Sequence, residues 1–125
     1  MQLQWSSGII YTKDGDFKYP MDDGVYVIAS KKNGKKVAQY VGQGNIYQRM
    51  FDHEKGSEQN SCLKTVMKDR DNLVVYYAKI ARQTERDNAE RTLVDYFGIN
   101  NLCNEVMPSG NFDPTINAPF LKEMV

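Results

Sequence analysis

Apolar positions in this chain gather in short runs whose period changes along its length. Residues 24–29 (Gly-Val-Tyr-Val-Ile-Ala) are continuously apolar and predict a buried strand, and residues 37–41 predict its partner. Lys32-Asn33-Gly34 between them is turn chemistry, so the two strands should form a hairpin. Residues 45–53 carry a helical period, with Asn45 as N-cap, Gln48 at the capping-box position and Gly56 as a stop. A second helix is expected over residues 61–70. Residues 73–80 (Leu-Val-Val-Tyr-Tyr-Ala-Lys-Ile) make the strongest strand, and residues 84–97 a last helix stopped by Gly98. This order predicts a small α+β domain, a three-stranded, mainly antiparallel sheet flanked by helices. Residues 1–23 mix Trp5, Tyr11, Phe17 and Tyr19 with Gly15 and Pro20, and should add a strand or loop to the core. Residues 105–125, with Pro108, Pro114 and Pro119, predict an extended tail over the surface.

Helical spacing selects two side-chain stripes. Ile46, Arg49, Met50 and His53 share one face of the first helix, and Glu90, Leu93, Val94 and Phe97 share one face of the last. A glutamate heading an apolar stripe is partly buried and needs a partner or a metal ion. The alternative is an exposed Glu90 paired with Arg86 one turn earlier. Two registers are open to the hairpin. A two-residue Asn33-Gly34 loop pairs Lys32 with Lys35 and sends Tyr26 and Tyr40 to opposite faces of the sheet. A three-residue loop with a bulge at Gly34 pairs Lys31 with Lys35 and sets the tyrosines directly opposite each other.

A chain of 125 residues suits one domain with a modest core, and 41% hydrophobic and 26% charged residues are those of a soluble protein. No run approaches a membrane span and the N-terminus does not read as a secretory signal, so a cytoplasmic location is expected. Cys62 and Cys103 permit one disulfide, but their spacing fits reduced thiols better; a lone histidine argues against zinc. Net charge is zero, yet between Lys31 and Lys68 eight basic residues face three acidic ones. This local excess makes Lys31, Lys32, Lys35, Lys36 and Arg49 candidate phosphate contacts; a solvated lysine turn accounts for the lysines equally well.

Gly24-Val25-Tyr26 and Tyr40-Val41-Gly42, followed by Arg49, Glu90 and Asn104, resemble the GIY-YIG nuclease family in motif and order. The resemblance covers residues 24–104, leaving 1–23 as an N-terminal extension and 105–125 as a C-terminal tail. It implies a metal-dependent endonuclease, with DNA a better candidate than RNA. Glu90 would hold Mg²⁺ or Mn²⁺, Arg49 would clamp the scissile phosphate, Tyr26 would act as general base and Tyr40 would orient it. Such a site needs both tyrosines on one face, which favours the three-residue loop. His53, one turn after Arg49, either serves this site or is structural. Asn104 matches the family asparagine or forms a turn, with Asn100 and Asn101 as competitors.

Two departures stand out. Gln43 occupies a position next to the second motif where many members carry lysine, and is a further nucleic-acid contact candidate. The segment from Gly42 to Arg49 is one residue shorter than in many members, a change that Gly44 can absorb. The rival reading is a module that has lost turnover and binds nucleic acid or a protein. Because so few phosphate contacts are on offer, tight binding would call for a protein partner or another subunit.

Overall fold

The computed structural model describes residues 2–11, 18–54 and 60–124. Strand β1 (Ile9–Ile10) is short, and β2 (Asp23–Lys32) and β3 (Lys35–Asn45) form the hairpin. Helices α1 (Ile46–Glu54) and α2 (Ser61–Lys68) precede β4 (Leu73–Lys79), and α3 (Gln83–Phe97) follows it. The sheet runs in the order β1-β4-β2-β3 with every pairing antiparallel. The α+β class and the three long strands match expectation, and β1 adds a fourth strand at the edge away from β3. Gly15, Phe17 and Gly56 lie outside the described residues.

Side-chain alternation divides the core into two layers. Tyr26, Ile28, Leu73 and Val75 point toward α1 and α2, packing on Ile46, Met50 and Leu63. Val25, Val27, Val41, Tyr76 and Ala78 point toward α3, packing on Ala89, Leu93 and Val94. Asn45 caps α1 as expected, its side-chain oxygen accepting from the Gln48 backbone N–H at 2.9 Å. The Gln48 side chain reaches Asp52 instead of closing the capping box.

The hairpin corrects the expected register. Asn33 (φ 53°) and Gly34 (φ 76°) form a two-residue turn with both residues left-handed, pairing Lys32 with Lys35. Continued unbroken, that register would separate the tyrosines. A bulge prevents it: Ala29 pairs with Ala38 and Ile28 with Tyr40, so Gln39 is the extra residue on β3. The Gln39 carbonyl accepts the Cys103 backbone N–H at 2.6 Å, so the bulge residue is tied to the chain that follows α3. Past the bulge Tyr26 pairs with Gly42, making Tyr26 and Tyr40 diagonal neighbours on one face rather than a directly opposed pair.

Two further expectations are corrected. Cys62 and Cys103 are joined in a disulfide with a Cα–Cα distance of 5.3 Å, not held as free thiols. This removes the thiol argument for a cytoplasmic location; what stands is that no described helix is long and apolar enough to cross a membrane. The bridge closes a separation of 41 residues. Its loss in Cys62→Ser/Cys103→Ser should cost about 4 kcal/mol by loop-closure entropy, read as a lower urea midpoint than that of the oxidised protein. The tail runs over the surface as expected but, contrary to expectation, is anchored in the core near its end. Phe120 is buried and stacks on Tyr76 with ring centroids 4.5 Å apart, while Trp5 meets it edge-on. Gly110 lies directly on α3, where a Cβ would fall 2.1 Å from the Asp87 carbonyl oxygen.

Candidate functional site

β3 is one edge of the sheet, and Tyr26, Tyr40, His53, Glu90 and Asn104 gather around it. Tyr26 comes from the neighbouring strand and is fully buried. Its ring lies against Gly42, where a Cβ would sit 2.3 Å from the ring and its hydroxyl. Any larger residue at position 42 would therefore displace the tyrosine. The Tyr26 hydroxyl and His53 Nε2 share a hydrogen bond of 2.9 Å, and His53 is itself buried. The His53 ring stands edge-on to both Tyr26 and Tyr40, at 5.9 and 5.8 Å, and the two tyrosine rings are 6.3 Å apart. His53 thus joins the tyrosines rather than an unrelated part of the core.

Tyr40 is half-buried and lines a cleft of about 460 Å³ together with Glu90, Asn60 and Asn104. Tyr40 and Glu90 are 50 positions apart and belong to opposite layers of the fold, so only the wrap of both layers around the β3 edge brings them together. Burial pushes the Glu90 carboxyl above the usual carboxylate range. The Gln43 amide hydrogen-bonded to it and the more distant Arg49 guanidinium oppose that shift, and Asp87 adds to it. Arg49 is partly buried, and its side-chain carbons run past Gly44, whose φ of 128° turns the chain into α1.

Comparison with family models, with curated proteins and with solved structures gave no match.

The candidate phosphate contacts other than Arg49 have other partners or places than expected. Gln43 is spent within the fold: its amide donates to Asp87 at 2.5 Å, and its carbonyl accepts from Gln83 and Arg86 at 3.0 and 3.3 Å. It links β3 to α3 and steadies the helical turn preceding Glu90. Lys36 is drawn away from the cleft by Glu123 at 2.9 Å and the Tyr76 hydroxyl at 3.0 Å, and these bonds raise its pKa. Lys31, Lys32 and Lys35 are exposed near the hairpin tip. Lys35 is five residues from Tyr40, or about 16 Å along the strand, so these lysines form a separate patch and not the cleft rim.

Asn104 uses both ends of its amide on one residue: Nδ2 donates to the Val41 carbonyl at 2.7 Å and Oδ1 accepts the Val41 N–H at 3.0 Å. The side chain acts as one more strand residue along the sheet edge, which is neither a turn nor a free catalytic amide. Among its competitors, Asn101 bonds the Phe97 carbonyl at the end of α3, and Asn104 is the one in the cleft. The Glu90–Arg86 pairing is not formed. Arg86 is buried against the carbonyls of Ile80 and Ala81 and the side chains of Gln83 and Gln43. Asn60 was not singled out from sequence. It caps α2 by accepting the Leu63 N–H and donates to the Cys103 carbonyl at 2.6 Å, and its place just before Ser61 was the available signal.

Proposed function

We propose that this protein is a metal-dependent endonuclease of the GIY-YIG type, hydrolysing nucleic-acid phosphodiester bonds, with DNA the favoured substrate. The observation that carries this reading is the shared cleft of Tyr40 and Glu90, backed by the Tyr26–His53 pair and lying within the electrostatic reach of Arg49. The order of the five motif residues supports it from the sequence side.

The donor set suits a small hard cation. Glu90 is a desolvated carboxylate whose close hydrogen-bond partner is a neutral amide, and one carboxylate with retained waters is a common way to hold Mg²⁺ or Mn²⁺. When bound, such an ion supplies charge neutralisation at the leaving oxygen. The remaining work falls to the chain itself. Arg49 binds the phosphate through its planar fork and keeps that contact as charge builds. Burial makes Tyr26 a poor direct base. Tyr40, which faces the cleft, is better placed to take a proton from water, while Tyr26 and His53 orient it from behind. This exchanges the tyrosine roles implied by the resemblance.

The test is a cleavage panel of single-stranded, duplex, branched and RNA substrates with Mg²⁺ or Mn²⁺. Wild type should cut at least one of them. Arg49→Ala should weaken both binding and turnover, whereas Tyr40→Phe should lose turnover with little loss of affinity. Binding without cleavage across the panel would instead identify the module that holds nucleic acid without cutting it.

A further inference from the structure

We propose that residues 105–108 form a nucleobase-contacting wall of the cleft, one that selects substrates with an unpaired base beside the scissile phosphate. The inference rests on the nuclease reading and deepens it.

This segment follows Asn104 and lines the same cleft as Tyr40 and Glu90. Val106 is 79% exposed and Met107 37%, an apolar pair displayed to solvent at the mouth of a polar cleft. The display is firmly supported. Upstream, the Cys62–Cys103 bridge, the Cys103–Gln39 bond and the Asn104–Val41 pair fasten the chain to α2 and β3. Downstream, Gly110 lies on the α3 backbone and the Asn111 N–H donates to Asn88. Val106 gains little for the fold at that exposure, whereas a ligand covering it and the open part of Met107 would gain their burial.

The chemistry of the wall selects the part of the substrate it meets. Glu105 is exposed on it and shares the cleft with Glu90, so the wall itself offers a phosphate no cationic side chain. Arg49 supplies the contact for the phosphate. An aromatic base is the uncharged, flat part of a nucleotide that fits against Val106 and Met107. Its exocyclic amino group is also a donor that a carboxylate such as Glu105 can accept. The cleft volume, about 460 Å³, is within the range of small-ligand sites and admits one nucleotide unit. A base stacked inside a duplex cannot enter, so unpaired, mismatched or branched sites are favoured, where exposing a base costs least.

The test is a binding measurement, independent of turnover, with 2-aminopurine oligonucleotides carrying the probe at an unpaired position or in a perfect duplex, in Ca²⁺. Wild type should favour the unpaired site by about tenfold or more and quench its fluorescence. Val106→Ala/Met107→Ala should lose about tenfold more affinity for the unpaired site than for the duplex, as several buried methyl and methylene groups are removed. Val106→Ala alone, at the more exposed position, should show the same preference loss in smaller measure, and thermal melting checks that the fold of both variants persists. Equal losses on the two substrates would overturn the proposal, as would a wild type without preference that still cuts duplex in Mg²⁺. A wild type that binds no nucleic acid in any form overturns it together with the nuclease reading.

Discussion

Glu90→Gln is expected to lower metal-dependent cleavage by about a thousandfold, the equivalent of the several kcal/mol that a bound metal ion supplies to charge stabilisation. The substitution preserves shape and hydrogen bonding to Gln43 but removes the charge that holds the cation. A second effect has the opposite sign. Burial raises the Glu90 pKa in the folded protein, so its contribution to stability is fully present below the unfolded pKa and lost as pH rises through the folded one. On the alkaline side of that range the unliganded wild type carries a desolvated charge, and there the glutamine variant should melt higher than it does. Mg²⁺ or Mn²⁺ should raise the wild-type melting temperature and leave the variant unmoved, since a ligand stabilises only the state that binds it. Proton competition at the same carboxyl should also make cleavage fall off on the acidic side at a higher pH than an ordinary glutamate would give. Cleavage that survives Glu90→Gln would mean the cation sits elsewhere.

Gly42→Ala is expected to destabilise the fold and disturb the Tyr26–His53 pair together. The new Cβ would lie 2.3 Å from Tyr26 ring and hydroxyl atoms, and Tyr26 is fully buried. Overpacking of this kind costs about 1–3 kcal/mol, measurable as a fall in the urea midpoint. Because Tyr26 holds His53, the displacement should also break their hydrogen bond, shifting the His53 imidazole resonances by NMR. Gly34→Ala makes a useful control. Nothing lies within 4 Å of its Cβ position, so only the left-handed φ of 76° is at stake, at a cost of about 1 kcal/mol and without effect on His53. A Gly42→Ala protein as stable as Gly34→Ala, with unaltered His53 signals, would mean that the glycine of the second motif is not there to seat the tyrosine.

Much of this site can be read from spacing because its parts lie on regular elements. The i, i+3, i+4, i+7 stripe on α1 puts Met50 and His53 into the layer beneath Tyr26, and the stripe on α3 leaves Glu90 at the margin of Leu93 and Val94. A helix converts sequence spacing directly into direction, so these assignments survive the fold. What a side chain is paired with does not follow from spacing. Arg86 is one turn from Glu90, yet it is buried against the carbonyls that end β4, because a guanidinium in the interior needs several acceptors and loop carbonyls supply them. Gln43 and Asn104 were visible as polar residues near the motifs, while the groups they satisfy belong to α3 and to Val41.

The sequence by itself determined the three long strands, the three helices, their order and the Asn45 cap. Periodicity, Asn45, Gly98 and the Asn33-Gly34 pair are local signals, and each acts within a few residues of where it is written. The tertiary structure alone decided which face Tyr40 occupies. Asn33-Gly34 adopts the two-residue turn that would have parted the tyrosines, and a bulge at Gln39 brings them back together. The carbonyl of that bulge is satisfied by Cys103, more than 60 residues away and itself fastened by a disulfide that spacing did not reveal. Side chains alternate with a period of two along a strand, so one inserted residue reverses every assignment beyond it. Whether that residue is inserted depends on a partner that only the folded chain brings alongside.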